Sequence, residues 1–290
     1  MTNLLRQFGF RTVGHQPSGV GPVFCAAVAG NIPVLRGLAA AKADMNERIT
    51  SQGQRLDVVL LKETTPFLIA AKNNRNPEVL KCLLELRADC TLTAKGNTPL
   101  ILATSSGSIA CMELLLDLGI DLETAEGKGG RPLHVAAARG HERAAELLLN
   151  RRAMVDPRLH MGLTPLMLAA FNGFPRCCQV LIQHQADVNA VASPMGMQSF
   201  AASMALRMAS PFLPSTGPLH HIAMLDGCTA LTAASVRGHV EVVKLLLKSQ
   251  ADASLRHRNG LRADELAEKA GHSTVVAALR TVTPALIVDV

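Results

Sequence analysis

Short apolar stretches alternate with polar turns along most of the chain, and their spacing is regular. Most stretches begin at a proline or at an alanine in the same place, and the step from one to the next is repeatedly 33 residues. The residues that begin these stretches are Pro22, Pro66, Pro99, Pro132, Pro165, Ala230 and Ala263. A fixed period of this length is typical of repeat proteins, in which each unit packs on its neighbours.

Within each unit the pattern predicts two short helices. The first helix begins at the proline, which suits a first helical turn, and is rich in alanine. The second carries leucine runs such as Leu147–Leu149. Between them, eight residues after the proline position, most units have a glycine, which allows the chain to turn with a positive φ. These glycines are Gly30, Gly107, Gly140, Gly173, Gly238 and Gly271.

The segments from Gly162 to Asn189 and from Gly227 to Asp252 closely resemble the ankyrin repeat, whose pattern is G-x-T-P-L-H-x-A-A-x-x-G-H followed by a leucine-rich second helix. The other units match this pattern moderately. The resemblance implies an all-α solenoid of about seven helix-turn-helix repeats with hairpin fingers, whose concave face binds other proteins. We therefore expect a repeat domain over 19–280, a basic N-terminal segment over 1–18 and a C-terminal tail over 281–290.

After the second helix this chain often lacks the glycine that the family has there. The residues at this place are Lys42, Arg87, Gly119, Arg152, Gln185 and Gln250. If the five that are not glycine adopt the left-handed conformation, each costs on the order of 1 kcal/mol. We therefore expect moderate stability.

Two insertions interrupt the period. Eleven extra residues fall at about 47–57, and about 32 fall at 191–224. The second insertion has one charged residue, Arg207, and five of the eleven methionines. Its length is close to one period, which favours an eroded repeat. The alternative is a docking arm, because methionine-rich apolar surface is adaptable and long insertions are often functional.

The composition agrees with a helical array. Of 290 residues, 48% are hydrophobic, yet only 3% are aromatic, with eight Phe and neither Trp nor Tyr. Alanine and leucine must therefore build the core, which argues against sheet-rich folds and against aromatic platforms for nucleic acid. No stretch of twenty apolar residues occurs, so no membrane span is expected.

Reactive chemistry has weak support. The seven cysteines are odd in number and show no CxxC spacing, which is typical of reduced intracellular thiols. His134 is predicted to satisfy loop backbone groups, and His220, His221 and Cys228 are too few for a zinc site. We expect no catalysis, metal or cofactor. The expected location is the cytoplasm, with the nucleus open and an N-terminal transit segment as an alternative.

The resemblance also implies where partners would bind. Contacts in the family come from the finger residue four before the proline and from two residues late in the first helix. On this chain these are the finger residues Lys62, Lys95, Lys128 and Met161 and the helix residues Lys72, Asn73, Ser105, Arg139, Phe171, Asn172 and Arg237. The three lysines would form a ladder about 20 Å long. Beside it, His160, Met161, Leu163 and Phe171 would form an apolar cluster.

These patterns predict a non-catalytic scaffold or adaptor, expected to be monomeric. Its partner would be a protein with an acidic segment and an apolar anchor, and no small-molecule substrate is expected. One alternative is direct binding of a polyanion, either nucleic acid or anionic lipid. The net charge of +6 permits this, but no dense basic run supports it. A regulatory or substrate-recruiting subunit of an enzyme complex is the other alternative.

Overall fold

A computed structural model of the chain describes residues 20–49, 54–55, 58–59, 63–73, 76–125, 130–159, 161–193, 227–257 and 260–282. The chain divides into two compact units, Met1–Gly127 and Lys128–Val290. Helices dominate the described residues of both units.

The first unit contains three helix pairs and one short hairpin among its described residues. Its helices are α1 (Pro22–Ala29), α2 (Ile32–Ala40), α3 (Pro66–Asn73), α4 (Pro77–Glu85), α5 (Pro99–Ser106) and α6 (Ile109–Asp117), and its strands are β1 (Gln54–Arg55) and β2 (Val58–Val59). The first helices α1, α3 and α5 pack in that order, as do the second helices α2, α4 and α6. Each pair therefore contacts the next.

The second unit contains four helix pairs in its described part. Its helices are α7 (Pro132–Arg139), α8 (Glu142–Asn150), α9 (Pro165–Asn172), α10 (Pro175–Gln183), α11 (Ala230–Val236), α12 (Val240–Lys248), α13 (Ala263–Lys269) and α14 (Ser273–Val282). The first helices α7, α9, α11 and α13 stack in order, and α8, α10, α12 and α14 do the same. The predicted all-α repeat architecture is confirmed.

Small aliphatic residues fill the core, as the composition predicted. Ala136, Ala137, Ala169 and Ala170 on the first helices have no exposed surface. The leucines of the second helices fill the space between neighbouring pairs, and Leu148, Leu181 and Leu246 are likewise fully buried. Alanine lets the first helices approach closely, so the packing needs few aromatic side chains.

Threonine begins several of the first helices. The hydroxyls of Thr65, Thr98, Thr164 and Thr229 accept hydrogen bonds from the backbone N–H three residues on. Such caps satisfy one of the N–H groups that the first helical turn leaves without an intrahelical partner.

The residues after the second helices do adopt the left-handed conformation. Their φ values are 60° for Lys42, 64° for Arg87, 66° for Arg152, 67° for Gln185 and 64° for Gln250. All five side chains are exposed. The condition is therefore met at all five positions, and the strain lies in the backbone of these residues. Moderate stability stays a prediction.

An uninterrupted finger closes with two backbone hydrogen bonds. The N–H of Leu159 donates to the carbonyl oxygen of Leu163 at 3.0 Å, and the N–H of Gly162 donates to that of Leu159 at 2.7 Å. Gly162 has a φ of 75°, which favours glycine in this turn. Only two positions separate Leu159 from Gly162 in the chain.

The second insertion is attached at such a tip. The N–H of Ala192 donates to the carbonyl oxygen of Cys228 at 2.8 Å, and the N–H of Gly227 donates to that of Ala192 at 2.9 Å. Ala192, Gly227 and Cys228, which flank the insertion, therefore pair as the residues that flank a finger tip do. Because α9 packs directly on α11 and α10 on α12, no repeat stands between them. Residues 194–226 lie outside the described residues, so the eroded repeat and the docking arm both stay predictions.

The first insertion occupies the same place in its own finger. The N–H of Ile49 donates to the carbonyl oxygen of Thr64 at 3.2 Å, and the N–H of Glu63 donates to that of Ile49 at 2.9 Å. The extra residues thus lie within 50–62, further along the chain than the predicted 47–57. Strands β1 and β2 pair within this segment, Gln54 with Val59 and Arg55 with Val58.

Glu47 caps the first helix in place of a threonine. Gly21 precedes α1 and offers no side-chain acceptor, and the Glu47 carboxylate accepts a hydrogen bond from the N–H of Phe24 at 2.7 Å. The carboxylate lies so close to Gly21 that a Cβ on that residue would overlap it. Burial raises the pKa of Glu47 to about 7, the bond from Phe24 lowers it, and the charge of Asp44 raises it further. The first repeat therefore depends on a buried titratable group.

Candidate protein-binding surface

The C-terminal ends of three neighbouring first helices in the second unit carry four of the predicted contact residues. Arg139 ends α7, Phe171 and Asn172 end α9, and Arg237 follows α11. Because α9 packs between α7 and α11, Phe171 has a basic residue on the helix at each side. We call Arg139, Phe171, Asn172 and Arg237 the Phe171 surface.

Phe171 and Arg237 are in direct contact. The guanidinium carbon of Arg237 lies 4.9 Å from the centre of the Phe171 ring, which is a cation–π geometry. The ring is half-buried and the arginine is exposed. Such a contact at an exposed site is worth about 0.5 to 1 kcal/mol. It places an apolar ring and a positive charge side by side at the protein surface.

His239 holds the backbone beneath this pair. Its Nε2 lies 3.1 Å from the carbonyl oxygen of Phe171, where it donates as Nε2–H. The imidazole also covers Gly173, on which a Cβ would lie 2.6 Å from the ring. The turn after α9 is therefore fixed to the N-terminal end of α12.

The electrostatic environment of His239 favours the neutral imidazole. Burial lowers its pKa, the hydrogen bond with Phe171 raises it, and the charges of Arg237 and His272 lower it further. Both charge effects on the ring lower this pKa, and a nearby carboxylate would act in the opposite direction.

The same contact recurs one repeat later. His272 Nε2 lies 3.1 Å from the carbonyl oxygen of Val236, and its ring covers Gly238. One repeat earlier Phe174 covers Gly140 but offers no nitrogen to a carbonyl. The sequence predicts the glycines of these corners as turn residues, but it did not lead us to the contact of the histidine with Phe171. Their recurrence nine residues after the alanine that begins each first helix was the available signal.

The finger beside the Phe171 surface is held by His134. The N–H of Arg131 donates to His134 Nδ1 at 3.2 Å, so Nε2 carries the proton and faces the carbonyl oxygens of Pro157 at 3.0 Å and Leu163 at 3.3 Å. Burial lowers the pKa of His134 to about 4, against the hydrogen bonds with these carbonyls. The predicted structural role is confirmed.

The prediction that Leu163 belongs to the exposed apolar cluster is wrong. Leu163 is only 4% exposed, because the finger turns it into the core next to His134, and it cannot contact a partner. Met161 is half-buried at the finger tip. His160 lies outside the described residues.

In the first unit the predicted contact residues lie on neighbouring elements. Lys72 and Asn73 end α3, and Ser105 lies in the last turn of α5, which packs on α3. Ser105 donates through Oγ to the carbonyl oxygen of Leu102 at 2.9 Å. Lys95 is exposed in a finger turn with a φ of 51°. Lys62 and Lys128 lie outside the described residues, so the lysine ladder stays a prediction.

The described residues offer little reactive chemistry. No three or more His, Cys, Asp or Glu side chains among them could hold a metal ion together. All seven cysteines are free, and six are buried. Burial raises the pKa of Cys25, Cys111 and Cys228 to about 11 and that of Cys177 to about 12, which keeps these thiols protonated.

Within the described part of the chain, no helix has the length and apolar character needed to cross a lipid bilayer. The longest, α14, has 10 residues, and a spanning helix needs about 20.

Comparisons with known proteins agree with this architecture. A family model for ankyrin repeats in three copies matches residues 23–126 and 122–192, and a single ankyrin repeat model matches 226–259. The crystal structure of the human ASB11 ankyrin repeat domain is similar, with 25% sequence identity and a TM-score of 0.68. The match covers 91% of this chain and 98% of that domain. No curated protein matches the chain.

Proposed function

Because the chain belongs to the ankyrin repeat family, whose members generally bind other proteins, we propose that it is a non-catalytic scaffold that binds a partner segment at the Phe171 surface. The observation that carries the proposal is the contact between Phe171 and Arg237. Phe171 offers an anchor to an apolar side chain, and the arginine offers two donors to a carboxylate beside it.

The partner that fits best is an acidic segment with one apolar anchor. Arg139 ends α7 and Arg237 follows α11, and these helices lie on either side of α9, so the two arginines attract negative charge toward the ring between them. The two positive charges mainly raise the rate at which the acidic segment associates, while burial of its apolar side chain against Phe171 slows its release. Lys62, Lys72 and Lys95 of the first unit, and Lys128 of the second, are proposed separately as further partner contacts.

An enzymatic role has less support than binding. His134 is committed to backbone carbonyls, and the buried thiols are protonated at neutral pH. The location proposed for the protein remains the cytoplasm or nucleus, as its free cysteines suggest.

A peptide selection on the full-length protein tests the proposal. A random twelve-residue library is selected against the wild type and then counter-selected against Phe171→Ala. We expect the wild type to enrich peptides with acidic residues around a Leu or Phe. Arg176→Ala is a matched control, because Arg176 is an exposed arginine at the start of a second helix. It should keep the same peptides.

Heparin and duplex DNA serve as competing probes for the polyanion alternative. Binding to both with a steep salt dependence, no peptide preference and no effect of Phe171→Ala would replace the proposal by polyanion binding. Selective peptides whose binding does not change in Phe171→Ala would place the contact elsewhere on the chain.

A further inference from the structure

We infer that His239 makes binding at the Phe171 surface depend on pH, so that an acidic segment is held more tightly when this histidine is protonated. The inference rests on the proposed function, because it concerns the same surface and the same acidic partner. It concerns a residue that takes no part in the contact between Phe171 and Arg237.

Geometry places the imidazole at the surface. His239 is bonded through Nε2 to the carbonyl oxygen of Phe171, and it follows Arg237 by two residues. Its ring packs against Gly173 in the turn that follows Phe171. The imidazole is also incompletely buried. A positive charge on it would therefore act on any carboxylate that approaches Phe171.

Among the described residues, the charges that act on His239 come from Arg237 and His272, and none comes from a carboxylate. Arg237 acts on it from the preceding turn, and His272 acts from the next repeat. The preceding repeat contributes the Phe171 carbonyl and Gly173, neither of which is charged. Burial and the charges of Arg237 and His272 lower its pKa, which favours the neutral imidazole in the free protein.

A bound carboxylate reverses this balance. It favours the charged imidazole and raises the pKa of His239, so that binding takes up a proton. By linkage, the affinity for the acidic segment then rises as the pH falls. Glutamate and aspartate side chains of a peptide remain ionised above about pH 5, because their ordinary pKa values are near 4. Between pH 5.5 and 7.5 the peptide therefore keeps its charge, and a change in affinity comes from groups of the protein.

The variant His239→Asn removes the titratable group and keeps a helix cap. Asparagine already occupies the corresponding cap of α2 and α4, where Asn31 and Asn76 accept backbone hydrogen bonds. His184→Asn is the matched control. His184 follows α10, at the end of the helix pair remote from the C-terminal turn of α9. Thermal melts at both pH values establish that each variant is folded.

The test is a calorimetric titration of the full chain with a capped twelve-residue peptide that contains six glutamates and a central Leu-Phe pair. We expect the wild type and His184→Asn to bind about fivefold more tightly at pH 5.5 than at pH 7.5. We expect His239→Asn to change less than about twofold. An NMR titration should show the pKa of His239 rising when the peptide is added.

The outcomes separate this inference from the proposed function. Binding that Phe171→Ala weakens, with the same pH dependence in the wild type and His239→Asn, overturns the role of His239 alone. A pKa of His239 that does not rise with peptide overturns it as well. Absence of peptide binding by the wild type at both pH values overturns the proposed function with it.

Discussion

The carboxylate of Asp156 reaches across a repeat boundary to the backbone of Asp187. Its Oδ2 accepts a hydrogen bond from the Asp187 N–H at 2.9 Å, while its Oδ1 is buried without a partner. The next repeat has an asparagine in the corresponding position. Asn189 Oδ1 accepts from the N–H of Asp252 at 2.8 Å, and its Nδ2 donates to the carbonyl oxygen of Gln250 at 3.4 Å. The repeat register therefore predicts that Asp156 turns an acceptor toward the Gln185 carbonyl.

We predict that Asp156→Asn stabilises the second unit by about 1 kcal/mol, because the amide supplies the missing donor. Urea unfolding at pH 7 measures the change. The reciprocal variant Asn189→Asp is the control and should destabilise by a similar amount. A loss of stability in Asp156→Asn would show that the orphaned oxygen has another role.

The left-handed residues after the second helices offer a second route to higher stability. Gln250 has a φ of 64° and an exposed side chain, so Gln250→Gly should stabilise by up to about 1 kcal/mol. The neighbouring Ser249 has a φ of −91°. Ser249→Gly should therefore destabilise by about 0.5 to 1 kcal/mol. Denaturant midpoints of the two variants must move in opposite directions.

His134 should make the second unit sensitive to acid. Its folded pKa of about 4 lies below the ordinary value of 6.5, so the unfolded chain binds the proton first as the pH falls. Stability is full above pH 6.5 and decreases toward pH 4, by up to about 3 kcal/mol. Hydrogen exchange of α7 and α9 between pH 7 and 5 measures this loss. In His134→Gln the same decrease should be much smaller, and an unchanged slope would contradict the assignment.

Glu47 should give the first unit the opposite dependence. Its folded pKa of about 7 lies above the ordinary value of 4.5, so the folded chain holds the proton more tightly. Its contribution is fully present below pH 4.5 and is lost as the pH rises through 7. Glu47→Gln keeps an acceptor for the N–H of Phe24. It should remove the part of the pH dependence of α1 hydrogen exchange that Glu47 causes. If the hydrogen exchange of α1 had the same pH dependence in the wild type and Glu47→Gln, Glu47 would not be the group that causes it.

Periodic features of the fold could be predicted from the sequence, and features that break the period could not. The proline spacing and the glycines locate the helix pairs. The left-handed residues after the second helices, such as Lys42 and Gln250, could also be located, because helix ends and turns depend on local geometry. The cap by Glu47 is different, since it lies 23 residues from Phe24 and replaces a threonine that the first repeat lacks.

The candidate site could be predicted only in part, because it combines periodic positions with a contact across the insertion. Repeat register located Phe171 and Arg237 on the same face, but their contact joins residues 66 apart in the chain with an insertion between them. Only the direct packing of α9 on α11 brings them together. Leu163 was misassigned because a finger residue can face either the surface or the core, and the sequence does not distinguish them.

The central claim is that the ring of Phe171 anchors a bound acidic segment. Calorimetric titration of one selected peptide into the wild type, Phe171→Ala and Arg176→Ala tests it most directly. Removal of a buried aromatic anchor costs about 2 kcal/mol or more, so Phe171→Ala should weaken binding at least about thirtyfold. Arg176→Ala should bind like the wild type. Equal affinity of the wild type and a folded Phe171→Ala would contradict the account.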